Sequence, residues 1–436
     1  MPKEHVAHIK ATCKWDINPP GYLMILHGWI ELFGTSETAL RSLSLVSVSL
    51  AASLLFFICI RYLNTETAVY SSLFLLVSKS LFYYSLEARG YGLIFLMVVI
   101  CLWLFFDLIK KPKTWTALLL GLLYGLLIYT HYLSAFFVIV QTLFLLIYNP
   151  QYFNKILYTI GGGVAVLFHW RKRIFDIFTK KTSSSNKSWI PEPQADDIPQ
   201  AFYTFFNNEI VFWSLVVISV VSIIFVLYKS QMLKNNIQQL VFFSCIGFGI
   251  IVIFYLASQI TPMWVTRYFL FSLIGMSLFF AYSTSLVPVS VYLKAIVILT
   301  ITAYSFFSTT YTYKSRMNYK DAVTFMQDSL ITSKQPYIIV QTTDVTPLFA
   351  YYYNREWFND ISHFRKHGEN IHVFTMNTSK NIKKNTIESA QELFLVQTYH
   401  QFGDPKKTVQ SYLDSVFQHK NVYKQFATVK ITHYSQ

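Results

Sequence analysis

Charge is what this sequence has least of. Only 13% of its 436 residues are Asp, Glu, Lys or Arg, against about a quarter in soluble domains. A soluble single- or multidomain enzyme is excluded on that ground, since 53% of the chain is hydrophobic and its mean hydropathy is +0.39. Cysteine is scarce too. Of the four, Cys59, Cys101 and Cys245 lie in apolar runs and Cys13 stands alone, with no CxxC or CxxxC spacing. Neither a zinc site nor a disulfide framework is indicated. There is no phosphate-cradling GxxxxGK[ST] loop, no GxGxxG after a strand, no HExxH and no GxSxG elbow. The polar start MPKEHVAHIK lacks the apolar stretch of a signal peptide.

What is abundant is apolar and aromatic. Phe numbers 39 and Tyr 30, and apolar runs of about 17–25 residues recur, each long enough to cross a bilayer. The sequence predicts a polytopic α-helical membrane protein of about ten spans: Ala39–Tyr62, Thr67–Tyr84, Tyr91–Ile109, Thr116–Tyr129, Leu133–Tyr148, Ile156–Trp170, Ile210–Tyr228, Leu240–Ala257, Phe269–Leu286 and Val289–Thr309. Gly161-Gly-Gly163 inside the sixth would let another helix pack closely. Before the spans, Pro19-Pro20 opens an amphipathic run to Gly34. It is too short to span and suits an interfacial helix. From about Arg316 the composition changes. Strands at Tyr337–Gln341, Ile371–Thr375 and Leu393–Gln397, with helices at Tyr319–Leu330 and Lys407–Phe417, predict a small soluble α/β domain. The expected division is 1–38 as loop and interfacial helix, 39–310 as membrane domain with a long polar segment 171–208, and 316–436 as the α/β domain.

The net charge of +14 would suggest nucleic acid in a soluble protein. Here basic residues flank spans and face anionic headgroups, so the partner read from it is the lipid bilayer and no nucleic acid. If Asp16 is outside, the short inner loops are those near Arg61, Lys110–Lys113, Lys155, Lys229–Lys234 and Lys294, as the positive-inside rule asks. Asp16, Glu87 to Arg89, His131, Trp189 and Arg267 then collect on one outer face. The two Asn-x-Ser sequons, at Asn186 and Asn377, matter only in a eukaryotic secretory setting.

Several of these polar residues could carry chemistry, and each has a plainer reading. Asp16, beside the rigid Pro-Pro step, is a solvated loop carboxylate, a general base or a metal ligand. Glu87 and Arg89 sit at a span end, where mutual pairing and snorkelling compete with function. Lys79, inside the second span, would snorkel or add to a phosphate site. His27 and His131 are either simply hydrogen-bonded or serve as ligands or acid–base groups. Arg267 is a headgroup anchor or a bidentate phosphate ligand.

Four segments, in order, resemble the integral-membrane glycosyltransferases of the GT-C fold, in the branch of protein O-mannosyltransferases and bacterial lipid A aminoarabinose transferases (glycosyltransferase family 39-like). They are Asp16-Ile-Asn-Pro-Pro-Gly-Tyr22 with His27-Gly-Trp29 and Leu32-Phe-Gly34; Ser36-Glu-Thr-Ala-Leu-Arg41; Tyr84-Ser-Leu-Glu-Ala-Arg-Gly-Tyr-Gly-Leu93; and Thr130-His-Tyr132. Trp189-Ile-Pro and Arg267-Tyr268 match weaker positions. Gly21 and Gly90 stand where the family has Leu and Pro, and Asn18 where many relatives have His or Lys. The resemblance implies a polyprenyl-phosphate sugar donor, a lipid, glycan or protein acceptor, inverting transfer on the outer face of a bacterial cytoplasmic membrane, and in some members a divalent metal cation. By position it makes Asp16 and Glu87 the catalytic acids and tentative metal ligands. Arg89, Arg267 and Lys79 become the groups facing donor phosphate, with His27, Tyr91, His131 and Trp189 nearby. The family also has a span before the Pro-Pro loop, followed by an acidic residue that is its usual base. Only 15 residues precede Asp16 here, so the chain is expected to lack that span. A lipid-linked glycan transporter and a non-catalytic relative are the alternatives. A transporter would show internal repeats or matched broken spans, which the sequence does not display clearly.

Overall fold

The computed structural model describes residues 19–168, 171, 190–228, 233–312, 318–330, 337–342, 345–354, 372–381, 387–388, 390–399, 404–423 and 425–436. Asp16, Trp189 and the sequon at Asn186 lie outside the described residues. The chain divides into two compact units, Met1–Thr312 and Tyr313–Gln436.

The described residues of the ten apolar segments of the first unit are mostly helical. Helix α1 (Gly21–Phe33) is followed by α2 (Glu37–Tyr62), α3 (Thr65–Val77), α4 (Lys79–Ser85), α5 (Tyr91–Lys110), α6 (Thr114–Thr130), α7 (Ala135–Tyr148) and α8 (Phe153–Phe168). Then come α9 (Asp197–Phe205), α10 (Glu209–Tyr228), α11 (Leu233–Ser244, a π turn Cys245–Gly249 and Ile250–Ile260), α12 (Ser272–Ser285) and α13 (Val291–Phe307). Caps fix their starts: Ser36 accepts from the Ala39 amide and Asn64 from the Thr67 amide. Among the described residues four helices are long and apolar enough to cross a bilayer alone: α2, α5, α10 and Asn235–Ile260 within α11. The stretches Tyr132–Tyr148 and Pro150–Phe168 pass that test only together, bent by 113°. The second expected span is not one helix. It breaks at Ser78, whose backbone is extended (φ −72°, ψ 114°), so Lys79 opens the short helix α4 in an exposed position.

The ion pairs and several long-range polar contacts of this unit lie toward two ends, while Tyr124 donates to Gln141 (2.6 Å) between them. At one end Tyr62 donates to Asp107 (3.0 Å), Arg61 lies 3.7 Å from Asp107, Asn64 donates to Ser285 (3.1 Å), and buried Lys294 meets Glu66 at 2.5 Å. At the other end Ser44 donates to the Arg89 carbonyl (3.0 Å), Gly90 packs on the Tyr22 ring, and His131 meets Tyr268. Tyr91 and Lys110 bound a helix of 20 residues between the two ends, roughly 30 Å at 1.5 Å per residue, the thickness of a hydrocarbon core. Between the ends the packing is largely aromatic, as in the Phe105–Phe242 stack at 4.6 Å.

Close helix contacts rely on glycine. Helices α6 and α8 run parallel, and a Cβ on Gly121 would stand 2.0 Å from the Thr159 carbonyl oxygen, while one on Gly162 would stand 2.8 Å from that of Leu118. The triple glycine therefore does what its composition suggests, through Gly162 and Gly163, whereas a Cβ on Gly161 would meet nothing within 4 Å.

The second unit is a five-stranded mixed sheet ordered β2-β1-β3-β5-β4, from β1 (Tyr337–Gln341), β2 (Val373–Met376), β3 (Glu392–Gln397), β4 (His419–Val422) and β5 (Lys430–Ser435). Strands β1, β2 and β3 are parallel, with Ile339 opposite Phe374 and Leu395. Two apolar layers cover it. Helices α14 (Tyr319–Phe325) and α15 (Thr346–Tyr353) pack with Ile338, Val340 and Val396, while α16 (Thr408–Val416) packs with Ile339, Leu393 and Leu395. The expected strand at Ile371–Thr375 begins later, at Val373, and the expected helix Tyr319–Leu330 ends in a π turn over Met326–Leu330. The antiparallel pair β4–β5 was not expected, because β4 is exposed at all four positions and carries no apolar alternation.

Because the two glycine positions differ only in what lies beside them, Gly121→Leu is expected to lower the thermal unfolding midpoint by several degrees or to prevent folding, and Gly161→Leu to leave it nearly unchanged. Unfolding curves in detergent for the two variants check this; equal shifts would contradict the packing.

Candidate active site

The Pro-Pro step shapes the first piece. Pro19 and Pro20 are buried, Pro20 sits at the N-terminus of α1, and the Met24 amide donates to its carbonyl (3.0 Å). Gly21 is pressed so closely on the Tyr129 carbonyl that a Cβ would stand 2.7 Å away. This explains glycine where the family has leucine, and it ties α1 to the end of α6 beside His131. Tyr22, 9% exposed, packs its ring on Gly90. Burial outweighs the neighbouring Ser44 and Arg89 and pushes its hydroxyl up to about 12, so it stays protonated.

The second piece is the bend 86–89 between α4 and α5. The Arg89 amide donates to the Glu87 carbonyl (2.8 Å), and the Arg89 carbonyl is held by Ser44. Glu87 is half-buried, and the Arg89 side chain is exposed. The third piece is His131. Its amide continues α6 by donating to Leu127 (2.9 Å), and its carbonyl accepts from the Ser134 amide and hydroxyl (3.1 and 2.6 Å). The fourth is the 3₁₀ turn Thr266–Phe269 that carries Arg267 and Tyr268.

These pieces meet around Tyr91. Its hydroxyl bonds the Arg267 guanidinium, and the charge of Arg89 also acts on it. Its ring lies edge-on to Tyr84 at 5.4 Å and beside His131 at 6.4 Å. His131 lies 5.5 Å from the Tyr268 ring, over which Arg267 sits at 5.3 Å. Burial disfavours the charge of Arg267, but Tyr91, Tyr268 and Tyr84 more than offset it and hold the guanidinium above its usual range. Of the residues singled out from sequence, Arg89, Tyr91, His131 and Arg267 thus come together, with Glu87 two residues from Arg89. His27 pairs with Glu31 one turn along α1, at 3.1 Å. Lys79 opens α4 at the Ser78 break, with its amide bonded to Asn207 (2.8 Å), and no described contact joins it to the Tyr91 cluster. Asp16 and Trp189 are not described. Tyr22, Ser44, Tyr84 and Tyr268 were not singled out, although three of them stand in quoted motifs. The usable signal was tyrosine recurring beside each charged motif residue.

Such a cluster can stabilise an anion. The half-buried Arg267 guanidinium bonds the Tyr91 phenol and the charge of the exposed Arg89 acts on the same group, and positive charge in a half-buried setting is more effective than in water. Phenols serve as donors there without adding negative charge. Among the described residues no three His, Cys, Asp or Glu side chains stand close enough to hold a metal, and Asp16, one of the two expected ligands, is outside them.

His131 is neutral in this setting, because burial pushes its imidazole down to about 4. Its Nδ1 is shielded from solvent and makes no hydrogen bond with a described residue. A folded value below the unfolded one, about 6.5, means the unfolded chain binds more protons in between. The His131 contribution to stability is full above about 6.5 and is lost as pH falls toward 4. Nuclear magnetic resonance titration of labelled histidine, assigned with His131→Gln, is expected to place this imidazole near 4; a midpoint near 6.5 would contradict the buried setting.

Comparison with known proteins bears on the same region. Residues 18–170 match the family model described as dolichyl-phosphate-mannose-protein mannosyltransferase. No curated protein sequence matches the chain. Among solved structures, ArnT from Cupriavidus metallidurans in the apo state is similar at 10% identity, over 95% of this chain and 87% of that one, with a TM-score of 0.43. The same protein bound to undecaprenyl phosphate gives 9% identity, the same coverage and a TM-score of 0.42. The Archaeoglobus fulgidus oligosaccharyltransferase complex with Zn and sulfate gives 10% identity over 87% of this chain and 59% of that one, with a TM-score of 0.42. These structural likenesses are distant, whereas the family match spans three of the four site pieces: the Pro-Pro step, the Glu87–Arg89 bend and His131. Over residues 18–170, about a third of the chain, the sequence is thus similar to that mannosyltransferase family.

Proposed function

We propose that this protein transfers a sugar from a polyprenyl-phosphate donor to a hydroxyl of a lipid, glycan or protein acceptor, at the Tyr91 end of its membrane unit, which faces outward. One observation carries the reading. Arg89, Tyr91, His131 and Arg267, from three separate stretches of sequence, meet at one end of the helices. The family matched over residues 18–170 is described by a dolichyl-phosphate-linked sugar, a donor whose reaction releases a lipid phosphate. That leaving group needs preorganised positive charge.

In the proposed step the acceptor oxygen forms a bond to the anomeric carbon from the face opposite the phosphate. The bond from that carbon to the phosphate oxygen breaks, and its electron pair leaves with the polyprenyl phosphate. The acceptor proton passes to a carboxylate, for which Asp16 is the candidate and Glu87 the second. Arg89 and Arg267 hold the departing phosphate, and Tyr91 holds Arg267. Inversion at the sugar follows from a single displacement. A divalent cation, if bound, would supply further charge at the phosphate.

Release of free sugar from polyprenyl-phosphate hexoses and pentoses in proteoliposomes reads donor cleavage without a known acceptor. Arg267→Ala is expected to lower that rate by about a hundredfold or more, the usual cost of removing one charge-stabilising donor, with Arg267→Lys retaining part. Asp16→Ala together with Glu87→Gln should abolish transfer to any acceptor found. Full rates in all of these variants would remove the assignment. Movement of lipid-linked sugar across the bilayer with no bond broken would replace it by transport.

A further inference from the structure

The break between α3 and α4 frees backbone groups in a helix expected to be continuous. In an unbroken helix the Val77 carbonyl and the Lys79 amide would both be bonded within it. Here the side chain of Asn207, about 130 residues away, takes both. Its Oδ1 accepts from the Lys79 amide (2.8 Å) and its Nδ2 donates to the Val77 carbonyl (2.6 Å). One primary amide thus stands in where the helix's own bonds are missing. Asn207 has φ 72°, a left-handed conformation that asparagine accepts more readily than most residues. That places it at the turn between α9 and α10.

The clamp extends to both sides. Ser78 and Ser80 donate to the Phe205 and Thr204 carbonyls, each at 2.9 Å, so the open C-terminal end of α9 is satisfied by the start of α4. Asn207 Nδ2 also lies 2.7 Å from Ser305 Oγ and 3.2 Å from the Tyr311 hydroxyl, which in turn donates to Val77. The Tyr311 ring meets Phe82 of α4 edge-on at 5.6 Å. No described hydrogen bond or ring contact named here reaches the Tyr91 cluster. Its effect is on direction, because α4 is only seven residues long and runs straight into the bend that carries Glu87 and Arg89.

We infer that Asn207 is a positioning residue, whose amide bridges the break at Ser78 and so fixes where α4 delivers Glu87 and Arg89. That this destination is an active site rests on the proposed function; the fixing of the bend does not. An ordinary helix cap would also bridge orphan groups, but its loss would lower stability without selectively loosening residues 86–89.

The test uses the full chain in lipid nanodiscs with a spin label at the exposed position Ala88. Asn207→Ala should give a clearly more mobile spectrum. Asn207→Asp, which keeps the acceptor and loses the donors, should fall between it and wild type. Asn208→Ala is the control, since Asn208 donates to Ser308 (3.2 Å) from the same turn without touching the break; it should leave the label unchanged. If Asn207→Ala fails to fold, Tyr311→Phe removes one hydroxyl from the same carbonyl and should mobilise the label partially. In the donor-cleavage assay, Asn207→Ala should reduce kcat by roughly tenfold or more while KM for the donor changes by less than about threefold, as expected of a misplaced group. A wild-type label spectrum in Asn207→Ala or in its Tyr311→Phe substitute, or equal mobility in Asn208→Ala, would overturn the inference. Absence of donor cleavage by the wild-type protein would instead count against the proposed function and leave the label result to stand by itself.

Discussion

Hydrocarbon offers a polar group no partner, and that constraint orders the membrane unit. Backbone groups are used up inside helices wherever the chain is apolar. The charged side chains gather at two ends, one around Asp107, Glu66 and Lys294 and the other around Tyr91, while a buried polar group between them, Tyr124, is paired with Gln141 (2.6 Å). Where a helix breaks within this unit, the freed groups are met from elsewhere in the chain, as Asn207 does for Val77 and Lys79. Glycine then sets how near the helices can come, since no hydrophobic force distinguishes one apolar helix face from lipid.

The Tyr91 end follows from the same constraint. Arg267 is half-buried and is kept charged by phenols around it, while His131 beside them is kept neutral. Neutral donors and neutral imidazole leave the guanidiniums as the dominant field. Local electrostatics favour an anionic ligand at this end, which is what the proposed donor phosphate requires.

Much of this could be read from the chain. Length and apolarity located the long apolar helices of the membrane unit but not α9, which lies in the stretch expected to be a polar segment, and the triple glycine marked a close contact. The residues that meet at Tyr91 were legible because charge at a span end is costly and so stands out. What escaped has physical reasons. Ser78 is a weak breaker in an otherwise continuous apolar pattern, so Thr67–Tyr84 read as one span with Lys79 inside it, where the structure has a break. Tyr22, Tyr84 and Tyr268 are common residue types at membrane interfaces, so composition hid them. Asn207 acts through its side chain on a backbone about 130 residues away, a relation with no local pattern. Strand β4 has no apolar face to reveal it.

The central claim is that Arg89 and Arg267 form one phosphate-binding site, and a double-mutant cycle on undecaprenyl phosphate binding tests it most directly. Affinities in nanodiscs for wild type, Arg89→Ala, Arg267→Ala and the double variant would be measured at one ionic strength. The account predicts that each single change weakens binding by about tenfold, and that the double variant loses less than the product because both groups serve the same phosphate. Wild-type affinity in both single variants would contradict it.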